Sequence, residues 1–292
     1  MAQRFDRWKG WGSDPSWGFR LFISHHTELN ELYWSHEAAA RYVVRAVKND
    51  PDASASQALR FSGIDERRLQ PTVNSWSKFY ADFGNWSRVS ALIALSGYFE
   101  IYLRTMIGRA LESDPAASQG AARRIDGAIL LKYGSDYSRL KDADQVLIRP
   151  WSSRLKTYRS FFGQVPDSLK SLEGELEKLR VLRNDASHKF GRDMTEMDYR
   201  NRHRPLAMTR VGLPTLKRQL RNVEAAARAI DRHLMDRHIG AYEMVSFYHS
   251  RASSFSPGQG ARLFRSPREP ESPPQIAGPG EDALLDIFAT VC

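Results

Sequence analysis

Apolar residues recur at helical spacing over most of the chain, and convincing strand alternation is absent. The clearest run lies at 87–111, where Leu92, Leu95, Phe99, Tyr102, Met106 and Ala110 return every three or four residues. That spacing predicts one long amphipathic helix, ended by Asp114-Pro115. A second seam begins after Pro166-Asp167-Ser168 and runs through Leu169, Leu172, Leu176 and Leu179, continued by position 183 and Ala186. A third, at 215–237, carries Leu216, Leu220, Val223, Ala227, Ile230 and Leu234. Each of these stripes needs the others to leave water, which is the logic of a helical bundle.

Weaker patterns surround them. Thr27 can cap a helix reaching about residue 49, with Leu29, Leu32, Val43 and Val47 on one face and Pro51 closing it. Two short helices around 56–61 and 64–69 are divided by Gly63, a helix-turn-helix outline with no clean basic recognition helix after it. Helical spacing also covers 119–133 (Ile125, Ile129, Leu130) and 138–162 (Val146, Leu147, Trp151, Leu155, Tyr158, Phe162), the latter interrupted by Pro150. The first 25 residues, with Trp8, Trp11 and Trp17 among glycines, read as an irregular arm whose aromatics anchor on the body rather than as a platform for bases.

From about Ser253 the composition changes. Pro257, Pro267, Pro270, Pro273, Pro274 and Pro279 stand among Gly, Ser and Arg, a mixture that cannot bury a core. The acidic-apolar segment 282–291 that follows suits either docking in a groove or packing on its own domain. The organisation expected is therefore a Trp-rich arm and helical region at 1–86, a bundle at 87–240 and a Pro-rich tail at 241–292. The fold class is all-α.

Composition narrows the function classes. The 292 residues are 41% hydrophobic, enough for a real core, and 26% charged, too few for global disorder. Lysine and arginine exceed the acids by 43 to 34, and the pI is near 9.7. Such a balance favours polyanionic partners without choosing among them. One cysteine, Cys292, makes no intrachain disulfide and stands too close to the end for a prenylation signal. No secretory signal or membrane span is evident, so a cytoplasmic location is expected. His25, His26 and His36 lack the companion ligands of a zinc site, and His233 and His238 are five apart, not four. Neither a phosphate-binding loop nor a dinucleotide pattern occurs. No metal or cofactor is expected.

One position breaks the leucine seam. Arg183 occupies an apolar slot, where a guanidinium is costly unless it is paired or faces a wet crevice. Arg183-Asn184-Asp185-Ala186-Ser187-His188 then forms an R-x4-H spacing with a polar residue directly after the arginine. Spacing alone selects nothing, because Arg20–His25 and Arg228–His233 share it and about one such pair arises by chance in this composition. Context selects Arg183: the seam before it, the polar follower, and an expected helix break at Asn184-Asp185. The alternative is a helix C-terminus decorated with cations, Arg183, His188 and Lys189 facing the negative end of the dipole.

In this motif the chain resembles the HEPN family, whose ribonuclease members carry an Arg, a polar residue and a His at this spacing on a compact helical bundle. The helix at 87–111, with Glu100 in Tyr98-Phe99-Glu100-Ile101-Tyr102-Leu103, is similar to the first long helix of that family. The resemblance covers about 87–240, and only the six-residue motif is specific. It implies a metal-independent endoribonuclease with Arg183, His188 and Asn184 as catalytic residues, acting as a toxin or defence effector held by an antitoxin or other regulatory protein. It also implies a homodimer, because catalytic pairs from two such domains meet at a dimer interface.

Geometry sets a condition on this motif. Five residues along an unbroken helix set Arg183 and His188 roughly 140° apart, so they converge only through a helix break or a second subunit. The chemistry needs little else. RNA carries its own 2′-OH nucleophile, His188 can act as base or acid near neutrality, and Arg183 can grip two non-bridging phosphate oxygens. Asn184 can orient His188 or the phosphate. Glu100 has two readings, an ion pair with Arg104 one turn on and support of Arg183. Lys189, Arg200, Arg202 and Arg204 can grip RNA backbone, with a solvated loop as the safer reading of the three arginines. A non-catalytic RNA- or protein-binding adaptor of the same family is the rival to the enzyme.

Overall fold

The computed structural model describes residues 6–8, 15–134, 138–189 and 208–251, with the side chains of 187–189, 248, 250 and 251 outside the description. The described residues are helical and loop, with no named strand among them; Ser54 and Thr72 form an isolated antiparallel bridge. The fold is all-α.

Among the described residues ten α-helices follow in order. These are α1 (Trp17–Val47), α2 (Ala55–Ala58), α3 (Val73–Ser113), α4 (Gly127–Lys132) and α5 (Leu140–Leu147), then α6 (Trp151–Phe162), α7 (Asp167–Lys170), α8 (Glu173–Lys189), α9 (Leu213–Leu234) and α10 (Tyr242–Arg251). Short 3₁₀ turns at Glu66–Arg68 and Pro115–Gln119 and a π-turn at Met235–Ile239 complete the set. The chain divides into two compact units, Met1–Glu243 and Met244–Cys292. Residues 1–86 thus belong to the same unit as the bundle, and α3 crosses residue 86 without a break.

The three strong seams lie where their spacing places them. Leu92, Leu95, Phe99, Tyr102, Met106 and Ala110 of α3 are buried, as are Leu216, Leu220, Val223, Ala227, Ile230 and Leu234 of α9 and Leu176, Leu179 and Ala186 of α8. They form one core with Phe19 and Phe22 of α1 and with Trp151, Leu155, Tyr158 and Phe162 of α6. The helix α3 is the axis of that core, packed on by α1, α5, α8 and α9. Tyr102 ties two of them directly, its hydroxyl donating to the Ala227 carbonyl at 2.9 Å.

Several boundaries differ from the sequence pattern for physical reasons. The first helix begins at Trp17, ten residues before Thr27, because Ser16 caps it: its hydroxyl accepts the Phe19 N–H and itself donates to the buried Asp231 of α9. Arg20 and His25 therefore lie on a helix and not in an irregular arm. The third helix begins at Val73 because Thr72 and Ser75 form a reciprocal capping box. The pair expected at 56–61 and 64–69 shrinks to one turn of α-helix and one of 3₁₀. Pro150 does separate two helices, α5 and α6. The arm is fastened by Arg7, which is buried and reaches Ser113, Asp126 and Ile239.

Candidate functional site

Helix α8 runs unbroken from Glu173 to Lys189, so the break expected at Asn184-Asp185 does not occur. Asn and Asp are poor helix formers, yet they cost only a few tenths of a kcal/mol each. Burying Leu176, Leu179 and Ala186 on either side outweighs that and carries the helix through. Arg183 and His188 then sit on one continuous helix about 140° apart, and the single chain does not bring them to one face.

Arg183 stands on the seam, but its side chain is 33% exposed: the seam reaches the surface there. Its guanidinium lies 3.5 Å from Glu100 of α3 and donates to the Asn184 side-chain oxygen at 3.3 Å. The other Glu100 oxygen faces Arg154 of α6 at 3.4 Å. Both contacts are longer than the 2.7–2.9 Å of a tight charge-assisted bond. One carboxylate is therefore shared between two guanidiniums and grips neither firmly. The expected partner of Glu100, Arg104, turns instead to Asp144, with bonds of 2.7 and 3.1 Å.

Arg154 is the fixed member of this group. It is buried, donates to the Arg149 carbonyl at 2.7 Å and lies 5.3 Å from the Trp151 ring. Burial lowers its pKa, and the Glu100 charge opposes that shift. One turn before Arg183, Arg180 makes a bidentate pair with Glu177 at 2.7 and 3.0 Å. Glu177 also accepts the Trp151 N–H at 2.9 Å, and hydrogen bonding from Arg180 lowers its pKa despite partial burial. Three arginines thus face two glutamates where α3, α6 and α8 meet, leaving a net charge of +1 beside the exposed Arg183. The arrangement can accept an anion, and Glu100 can fix the guanidinium plane.

Of the residues singled out by sequence, the fold brings together Arg183, Asn184 and Glu100. The His188 side chain, the Lys189 side chain, and Arg200, Arg202 and Arg204 lie outside the described residues, as do Trp11, Cys292 and the segment 282–291. Arg154 was missed. The signal was available, since position 154 falls in the arc shared by Trp151, Leu155 and Tyr158, where an arginine is as anomalous as at 183.

His25, His26, His233 and His238 pack against neighbouring groups. His26 contacts the Leu220 carbonyl at 3.1 Å, and His25 stacks on Tyr98. Within the π-turn, His238 pairs with the fully buried Asp114 at 2.9 Å. His233 meets the Tyr158 hydroxyl at 2.7 Å while its Nε2 has no partner, and burial lowers its pKa to about 4. Among the described residues no three His, Cys, Asp or Glu side chains gather as a metal site requires. No helix among them is long and apolar enough to cross a membrane.

Comparison with protein-family models, with curated proteins and with solved structures gave no match. Function therefore has to be argued from the site.

Proposed function

We propose that the chain is a metal-independent endoribonuclease of HEPN-like type that works as a homodimer. The observation that carries this reading is Arg183, a guanidinium on a leucine seam, part-exposed and backed by a carboxylate that it shares with buried Arg154. A clamp of this kind suits the charge that gathers on a phosphate during transesterification. His188 removes the 2′-OH proton, the 2′-oxygen attacks phosphorus, and the 5′-oxygen leaves, taking a proton from water. The products are a 2′,3′-cyclic phosphate and a 5′-OH, and DNA is inert for want of the nucleophile. The unbroken α8 supports the dimer, because the Arg183 of one protomer and the His188 of its partner can face one phosphate where those of a single chain do not. Activity of this type, left unchecked, is toxic to its host, so an antitoxin or regulatory partner belongs to the proposal.

The same unbroken helix favours a second reading if the chain stays monomeric: an adaptor that binds RNA or protein through Arg183 and its neighbours without cutting. RNA incubated with the purified protein in EDTA tests both. The enzyme reading expects cleavage to cyclic-phosphate ends, lost in Arg183→Ala and in His188→Ala, and restored when the two variants are mixed so that heterodimers carry one intact pair. Binding without cleavage, unchanged in His188→Ala, sinks the enzyme and leaves the adaptor.

A further inference from the structure

A groove of about 440 Å³ opens between the C-terminal half of α1 and the first turns of α3, well along the axis from Glu100. Its lining includes four small residues, Ala40, Ser77, Ala81 and Gly84, and two rings, Tyr80 and His36, which meet edge to face with centroids 6.4 Å apart. Three arginines, Arg41, Arg45 and Arg88, meet a single carboxylate, Glu37, giving the lining a net charge of +2 with His36 neutral. Both Glu37 oxygens are engaged, one by Arg41 at 2.9 Å and one by the Tyr33 hydroxyl at 3.2 Å. Tyr80 is also one rung of a ladder of near-parallel rings along α3. Trp76, Tyr80, Phe83 and Trp86 follow at 4.7, 6.4 and 5.7 Å, with Phe83 and Trp86 exposed.

We propose that this groove holds single-stranded RNA, one unpaired base lying in it against Tyr80 and His36 and the flanking phosphates on Arg41 and Arg45. A groove that receives a protein helix needs large aliphatic side chains to fill the spaces between that helix's residues. Val44 is the one aliphatic lining residue larger than alanine here. A groove lined by small residues, two rings and three guanidiniums instead fits a flat heterocycle attached to phosphate. Stacking on aromatic rings with an arginine track is how proteins hold unpaired strands without reading their sequence. The excess positive charge complements two phosphates. The choice of RNA over DNA rests on the cleavage reading above; the groove itself is a separate site that would hold the substrate strand away from Arg183.

The test is fluorescence anisotropy of the full chain with a labelled 12-nucleotide 2′-O-methyl oligoadenylate, which lacks the nucleophile and is not cut. Deoxy and duplex oligonucleotides are run alongside. The wild type is expected to bind the single strand with a log–log salt slope near −1.4, about −0.7 for each of two phosphates, and the duplex more weakly. Tyr80→Ala is expected to weaken binding about tenfold or more. Gly84→Leu fills the slot from a position where an added Cβ meets nothing closer than the Arg88 guanidinium at 3.6 Å, and is expected to do the same. Arg45→Glu, at an exposed helical position, is expected to weaken binding and flatten the slope. If Tyr80→Ala disturbs the fold, the other two groove variants, checked by thermal melting, carry the test. Failure of the wild type to bind, groove variants that bind within twofold of it, or a change in self-association in place of RNA binding each overturns the proposal. Cleavage that survives in groove variants with unchanged RNA affinity removes the groove alone. Groove-dependent binding without cleavage by the wild type removes the nuclease alone, and stronger binding of the deoxy strand removes the assignment to RNA.

Discussion

Replacing Arg7 by alanine should unfasten the N-terminal arm and cost more stability than any surface substitution. Arg7 is 7% exposed and makes four hydrogen bonds: to Asp126 at 2.8 Å, to the Ser113 hydroxyl and carbonyl at 3.0 and 2.8 Å, and to the Ile239 carbonyl at 3.1 Å. It thereby joins the end of α3, the start of α4 and the π-turn after α9, and its guanidinium lies 3.4 Å over the Trp8 ring. Alanine strands the buried Ser113 carbonyl, which costs about 1–3 kcal/mol unless water replaces the donor, and leaves the Ile239 carbonyl only the Ser113 hydroxyl at 3.3 Å. Asp126 loses less, because it is part-exposed and still caps the Ala128 N–H at 2.9 Å. The sum expected is about 3–5 kcal/mol, as for a broken buried ion pair. For a chain of this size that lowers Tm by about 6–20 °C. Arg7→Lys should recover part of it, since an ammonium reaches Asp126 but cannot span three partners. Urea unfolding followed by tryptophan fluorescence and far-UV circular dichroism measures the loss. A cost for Arg7→Ala below about 1 kcal/mol would refute the clamp.

The pH dependence of stability should carry the mark of His233. Its folded pKa of about 4 lies below the unfolded 6.5, so the unfolded chain takes up a proton first. Its neutral form is compatible with the fold above about pH 6.5, and stability falls as pH drops from 6.5 toward 4, by at most about 3 kcal/mol. Subtracting the urea-unfolding profile of His233→Asn isolates this group, and parallel profiles across that window would rule the effect out. Two glycines should respond oppositely to alanine. At Gly127 an added Cβ falls 1.8 Å from the Glu112 carbonyl oxygen, so Gly127→Ala should cost about 3 kcal/mol or more in the same unfolding assay. At Gly97, inside α3 with nothing within 4 Å, Gly97→Ala should stabilise by about 0.5–1 kcal/mol, and a loss there would show that the helix face is not open.

The core was legible in the chain because burial of a helix face demands a period of 3.6, and the leucine, aromatic and alanine positions of α3, α8 and α9 keep that period without help from the rest of the fold. Arg183 was legible for the same reason, as a charge in an apolar row. Starts and continuations were not. Ser16 begins α1 because Asp231, more than two hundred residues away, holds its hydroxyl, and no local pattern carries that information. The first turns of α3 bury little beyond Val73 and Asn85, so they show no seam; they are helical because Thr72 caps them and a started helix propagates cheaply. Asn184 and Asp185 read as a break by propensity, and packing on both sides overrode it. Tertiary structure alone decided the partners of Arg183. Helix α3 sets Glu100 beside it and α6 brings Arg154 to the same carboxylate, so the charge balance around Arg183 depends on three helices that no local run of sequence connects.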